Sequence, residues 1–259
     1  MDAGFSGVEL WAMSPHLDIE QPGAVAHAVE LVRGVGLQVH SVHLPFYRKF
    51  GGPNFRFLGL GDRDHKDAAT AVRLITNVLN EMGDTGVGLG VLHAAGATEE
   101  PLEPALKRFE EDLEVVLKVA DKKGVTLALE NIITPLSSVE RIESLIERRN
   151  HPRLRACLDI GHAAIAEDPI AAIRMLGDHL VTTHLHDNHG EEDDHLSLGD
   201  GILNWDTIAP ALAAAAKPNL ILEISFKEIR DNSDQDAVLG VLQKCFSQAK
   251  LIFDSGTLV

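Results

Sequence analysis

The sequence predicts an α/β chain of the (β/α) barrel class, and three observations carry the prediction. Short apolar runs rich in β-branched residues alternate with amphipathic helical stretches along all 259 residues. The runs are continuously apolar, as parallel strands covered on both faces are, and each connection is long enough to hold a helix. A polar residue stands at the carboxyl end of every run: Glu9, His43, His93, Glu130, Asp159, His184 and Glu223. A closed barrel points all such ends at one centre, whereas an open doubly wound sheet gathers function at a switch point.

In chain order the strands are expected at Gly7–Trp11, Val39–Leu44, Val87–His93, Val125–Glu130, Leu154–Ile160, Leu180–His186 and Leu220–Ile224. Helices are expected at Ala24–Arg33, Asp67–Glu81, Leu102–Lys122, Ser138–Arg149, Pro169–Leu176, Trp205–Ala216 and Gln235–Phe253. Helix signals agree: Ser137 and Ser138 precede a helix carrying Glu140 and Arg141, Asp168-Pro169 opens another, and Gly124 follows Lys122-Lys123 as a stop. No linker, low-complexity segment or composition break interrupts the chain, so residues 1–259 are read as a single barrel domain. An eight-unit barrel needs one βα unit more than the seven visible here. The opening residues, Met1 to Gly7, read as the end of a first helix leading into a second strand. A first strand and helix missing from the N-terminus is the favoured expectation, and a seven-strand barrel the alternative.

Composition narrows the function. With 23 Lys and Arg against 39 Asp and Glu, the net charge of −16 opposes a polyphosphate partner, so nucleic acid is not expected. The two cysteines, Cys157 and Cys245, lie far apart, and neither a secretory leader nor an apolar run long enough to span a bilayer is seen, so a cytoplasmic location without membrane contact is expected. The open fold-level alternative loses support because no GxGxxG follows the first strand and no Walker-type GxxxxGK[ST] occurs.

Imidazole and carboxylate groups are the ligand types of Mn, Co, Zn, Mg and Fe. Gathering several at one barrel mouth is costly unless a cation neutralises them. Glu130, Asp159, His184 and Glu223 come from four consecutive strands and are expected to form one four-ligand metal site, since no lysine or arginine on those strand ends pairs them.

The segments Val42-His43-Leu44-Pro45, Leu92-His93-Ala94, Leu129-Glu130-Asn131, Leu158-Asp159-Ile160-Gly161-His162, His184-Leu185-His186-Asp187-Asn188 and Leu222-Glu223 occur in this order. With the tract from Asp193 to Gly201, followed by Asn204-Trp205, they resemble the xylose-isomerase-like TIM barrel superfamily across nearly the whole chain. Two branches are implied. In sugar and sugar phosphate isomerases and epimerases, residues matching Glu130, Asp159, His184 and Glu223 hold one divalent metal (Mn, Co, Zn or Mg). The two glutamates also shuttle a proton across an enediolate, which makes Glu130 and Glu223 the catalytic residues. In zinc AP endonucleases nine residues hold three zincs, and the matches are His43, His93, Glu130, Asp159, His162, His184, Asp193, His195 and Glu223. The charge favours the first branch, because an endonuclease must grip phosphates, and Arg48-Lys49 and Arg56 are the few basic residues near that mouth. The resemblance thus implies a metal-dependent isomerase of carbohydrate metabolism acting on a small sugar or sugar phosphate, with a homo-oligomer allowed. Its alternative is a multi-zinc phosphoesterase, and a degenerate binding barrel is a third reading. No arginine follows the His184 strand where ketose 3-epimerases place a substrate-binding one, so their substrate does not carry over.

The remaining candidates have quieter readings beside the sharp ones. His43, His93, His162, Asp193 and His195 are expected as second-metal or substrate-binding groups, against backbone bonding for the first two histidines, a helix cap for His162, and a solvated acidic turn for Asp193 and His195. His186 shares a strand face with His184 and either serves as ligand, with His184 ranked first because its spacing to Asp187 matches the family pattern. Glu9 is expected in packing or a hydrogen bond, and Cys157 as a small apolar filler. Trp11 and Phe46-Tyr47 near the mouth either stack on a sugar ring or pack in the core.

Overall fold

The structure, a computed structural model, describes residues 3–47, 57–93, 101–215, 218–225 and 235–253. The chain forms two compact units, an N-terminal one at Gly7–Ala156 and a C-terminal one combining Met1–Ser6 with Cys157–Val259.

The N-terminal unit contains β1 (Gly7–Trp11), α1 (Ala24–Gly34), β2 (Gln38–His43), α2 (His65–Thr85), β3 (Leu89–His93), α3 (Leu102–Lys123), β4 (Thr126–Glu130), α4 (Val139–Arg149) and the start of β5 (Leu154–Asp159). Its strands pair in parallel and in chain order, β1 with β2, β2 with β3 and β3 with β4. The register sets Trp11 beside His43 and His93 beside Glu130. Helices α2 and α3 bury one apolar stripe each, with Leu74, Val78, Leu79 and Met82 on α2 and Phe109, Leu113, Val116 and Leu117 on α3. The stop after α3 is as the sequence predicts, with Gly124 left-handed at φ 75°. A cavity of 790 Å³ runs between α3 and α4, where Arg148 and Arg149 bridge to Glu110 at 2.6 and 3.0 Å.

The C-terminal unit takes the end of β5, then α5 (Ile160–Ala166), α6 (Pro169–Leu176), β6 (Leu180–Leu185), α7 (Trp205–Ala214), β7 (Asn219–Leu222) and α8 (Gln235–Ile252). β6 and β7 are parallel, with His184 paired to Ile221. Phe5 packs edge-on against Phe246 of α8, which ties residues 3–6 to this unit.

Two local readings are corrected. Ile160 belongs to a helix and not to the strand: the Asp159 carboxylate accepts the His162 backbone N–H at 2.7 Å, which caps α5 and ends β5. Ser138 stands at the N-cap of α4 but its side chain makes no capping bond, unlike Asp168, which accepts from Ile170 and Ala171. No helix among the described residues is long and apolar enough to cross a membrane.

Candidate metal centre

Most site candidates stand at the carboxyl end of a strand, with His162 in α5 and Asp193 and His195 in the loop after β6, and each unit gathers its own set. In the N-terminal unit His43, His93 and Glu130 end β2, β3 and β4. Neighbouring parallel strands bring them together: His93 Nε2 lies 2.9 Å from Glu130 Oε2, and His43 Nε2 lies 3.3 Å from that oxygen and 3.2 Å from His93 Nε2. His43 and Glu130 are each 1% exposed. Glu9 takes the bland role expected of it, accepting from the Ser41 hydroxyl at 2.6 Å. Arg48, Lys49 and Arg56 lie outside the described residues.

In the C-terminal unit Asp159 ends β5, His184 is the penultimate residue of β6, and Glu223 directly follows β7. His184 Nδ1 and Glu223 Oε2 are 2.8 Å apart. His184 in β6 and His186 just after it have separate partners: His184 faces Glu223, while His186 Nε2 sits 3.0 Å from Asp159 Oδ1 and 3.5 Å from Asp193 Oδ1. His162 and His195 complete this second group, placing Nε2 atoms 3.2 and 3.1 Å from Asp193 Oδ2. One ligand atom from each of His162, His186, Asp193 and His195 lies within 4.8 Å of every other, a spacing one cation can span.

Asp193 and His195 reach this position because the loop after β6 folds back on itself. Asp187 and Leu196 exchange both backbone hydrogen bonds at 2.8 Å, closing a hairpin with the acidic turn at its tip. His195 takes a left-handed backbone, φ 50°, and its Nδ1 bonds the Glu223 carbonyl at 2.8 Å, which leaves Nε2 toward Asp193. Burial lowers the pKa of the His195 ring, but the hydrogen bond to Asp193 and the charges of Glu223 and Asp193 outweigh it and raise the ring to about 9. Burial works against the Asp193 carboxylate too, yet the bonds from His162 and His195 hold it well below the usual carboxylate range.

The sequence singled out the His-Asp-Asn tract without seeing what Asp187 does. Its carboxylate, 0% exposed, accepts the backbone N–H groups of Asn188, Gly199 and Leu203 and the indole N–H of Trp205. Those four bonds tie the far end of the loop to β6. Gly201 is required there because a Cβ would overlap the Asp187 carboxylate, and Gly161 is required because a Cβ would overlap the His186 ring. The signal available in the sequence was the spacing of Asp187, Gly199, Gly201 and Trp205, whose meaning depends on contacts twelve or more residues apart.

The buried polar residues include Glu130, Asp159 and Asp187 but, among the described residues, no lysine or arginine. Asp187 is satisfied by N–H donors, whereas Glu130 pairs with the imidazoles of His43 and His93, and Asp159 with those of His162 and His186.

A curated L-ribulose-5-phosphate 3-epimerase of Escherichia coli K12 is 24% identical over 183 residues, 69% of this chain and 61% of its own. A probable endonuclease 4 of Acholeplasma laidlawii is 22% identical over 223 residues, 79% of this chain and 69% of its own. An uncharacterized protein of Sinorhizobium fredii is 27% identical over 212 residues, 71% of this chain and 65% of its own. The chain spans from 43% to 65% of the length of the first curated relatives it matches. The crystal structure of a D-psicose 3-epimerase with D-tagatose from Clostridium cellulolyticum H10 superposes with a TM-score of 0.76 at 18% identity, covering 98% of this chain and 91% of that one. Residues 1–245 match the family described as the xylose isomerase-like TIM barrel, and the chain belongs to that family.

Proposed function

We propose that the chain is a divalent-metal-dependent sugar isomerase or epimerase, built as a single barrel domain, in which Glu130, Asp159, His184 and Glu223 hold one ion. The observation that carries this reading is that mostly buried carboxylates and imidazoles converge at the strand ends, Glu130 with His43 and His93, Asp159 with His186, and His184 with Glu223. Groups of these two types gathered out of water are the donors that a divalent cation takes. The donor set of three carboxylates and one imidazole suits Mn, Co, Zn or Mg.

Such an ion, when bound, supplies Lewis acidity toward the carbonyl and adjacent hydroxyl oxygens of a sugar, which acidifies the C–H between them. The chain's own residues do the rest. Glu223, oriented by His184 through Oε2, removes the proton at its other oxygen, and Glu130 in its protonated form, oriented by His93, gives one to the resulting enediolate; exchange with water then returns both side chains to their starting states. Glu223→Gln is expected to abolish exchange of substrate hydrogen with solvent while retaining part of the metal. Full exchange in that variant would falsify the assignment.

A second reading, a multi-metal phosphoesterase, is favoured by the His162, His186, Asp193 and His195 group and opposed by the net charge of −16. Metal analysis of protein purified without added metal separates the two. One equivalent supports the isomerase, and two or three zincs with phosphodiester cleavage reverse the order.

A further inference from the structure

The cavity of 790 Å³ between α3 and α4 lies within the N-terminal unit and has the volume of a small-molecule site. Its floor is apolar, formed by Phe109, Leu129, Leu136, Ile142 and Leu145. Toward the C-terminal end of α4 its charges are matched: Arg148 and Arg149 take Glu110, and Arg149 also takes Glu114 at 2.8 Å.

Toward the N-terminal end of α4 the polar groups are not matched in this way. Ser137 lines the cavity and is 1% exposed, yet its hydroxyl has no hydrogen-bond partner. Arg141, one turn further on, lines it too and, among the described residues, pairs with no carboxylate; its Nη1 donates to Ser138 Oγ at 3.4 Å. Ser138 Oγ is thus turned to Arg141, and the first N–H groups of α4 lack the side-chain acceptor that Asp168 gives α6.

A guanidinium without a counter-charge, a buried hydroxyl without a partner and a helix N-terminus without a side-chain cap all favour an anion. The floor favours a hydrocarbon body. From these observations we infer that the cavity binds a monocarboxylate with an apolar tail, its head at Ser137 and Arg141 and its tail along Leu129 and Leu145. The planar fork of a guanidinium matches a carboxylate. A phosphate dianion fits less well, because one guanidinium leaves half its charge unmatched, and Glu103 and Glu140, exposed at the rim, repel it. The inference does not depend on the isomerase reading: Glu130 is the one proton-transfer residue that borders the cavity, and its carboxylate is held by His43 and His93.

Calorimetric titration of the Mg²⁺-loaded full chain with octanoate tests the site. Octanoate is expected to bind one to one, more tightly than octylamine, octyl phosphate or acetate, the last being a carboxylate that can reach a metal but has no tail. Arg141→Gln is expected to weaken octanoate about tenfold, the loss of one charge-assisted contact. Ser144→Leu, on the cavity wall of α4, fills the space of the tail and is expected to abolish binding, with Mg²⁺ affinity unchanged in both variants. No binding of octanoate, octylamine bound as tightly, acetate displacing octanoate at equal concentration, or octanoate affinity unchanged in either variant overturns the inference. The comparison of octanoate with octylamine needs only the parent chain, and so decides even where a variant fails to fold.

Discussion

In the N-terminal unit Glu130 meets two imidazoles beside a wall of aromatic side chains, whereas in the C-terminal unit Asp193 meets three imidazoles on a loop held by backbone N–H groups. The residue types are the same, and the means of fixing them differ. His43 and His93 end strands whose parallel pairing sets their spacing, and Phe46 and Trp11 pack against the rings. Asp193 and His195 lie on a hairpin tip, and their position depends on Asp187, Gly161 and the Glu223 carbonyl. A ligand carried by a strand is placed by the sheet. A ligand carried by a loop needs polar anchors of its own, and those anchors are where the comparison breaks most easily.

The largest effect is expected from Asp187→Ala. It leaves three backbone N–H groups and the Trp205 indole without their acceptor in a site 0% exposed, and a loss of about 4 kcal/mol is expected. Calorimetric melting checks the magnitude, and zinc or manganese content should fall at the Asp193 group before it falls at Glu130.

Gly161→Ala comes next. Alanine is the better helix former, so propensity alone would stabilise α5. The added Cβ overlaps the His186 ring, however, and turning that ring away is expected to cost about 2 kcal/mol net. A melting temperature equal to or above that of the parent chain would show that His186 has room to move.

Asp193→Asn is a smaller and more local change. The carboxylate is a main support for the raised His195 pKa, so in the metal-free variant the ring should titrate well below about 9, toward the ordinary 6.5. The sign follows from linkage. A ring whose folded pKa is raised stabilises the fold fully below pH 6.5 and loses that contribution as pH rises through about 9, so the variant should lack this alkaline loss. Proton NMR of the imidazole resonances gives the midpoint, and an unchanged midpoint would remove Asp193 as the cause.

The smallest effect on the fold is expected from Phe57→Leu. At 57% exposure, replacing this ring should change stability by less than about 0.5 kcal/mol in a urea melt. A large loss would make this exposed ring part of the packing, like the buried rings beside it.

The sequence by itself determined the βα repeat and the chemical inventory. Strands such as Thr126–Glu130 announce themselves by a mainly apolar run ending in a carboxylate, because a parallel strand buried on both faces is predominantly apolar up to its open end. The helices at Pro169–Leu176 and Leu102–Lys123 fell within a residue of their expected bounds, since Asp168 caps the first and Gly124 stops the second through local bonds. Where a side chain bonds only its own neighbourhood, spacing is enough to read it. Tertiary structure alone decided that His184 and His186 serve different carboxylates and that Asp187 anchors a loop. It also decided that Phe46, Phe57 and Trp11 stand together. Each of those facts rests on contacts between residues distant in sequence, and the geometry of such contacts exists only once strand register and loop closure have fixed where the chain returns.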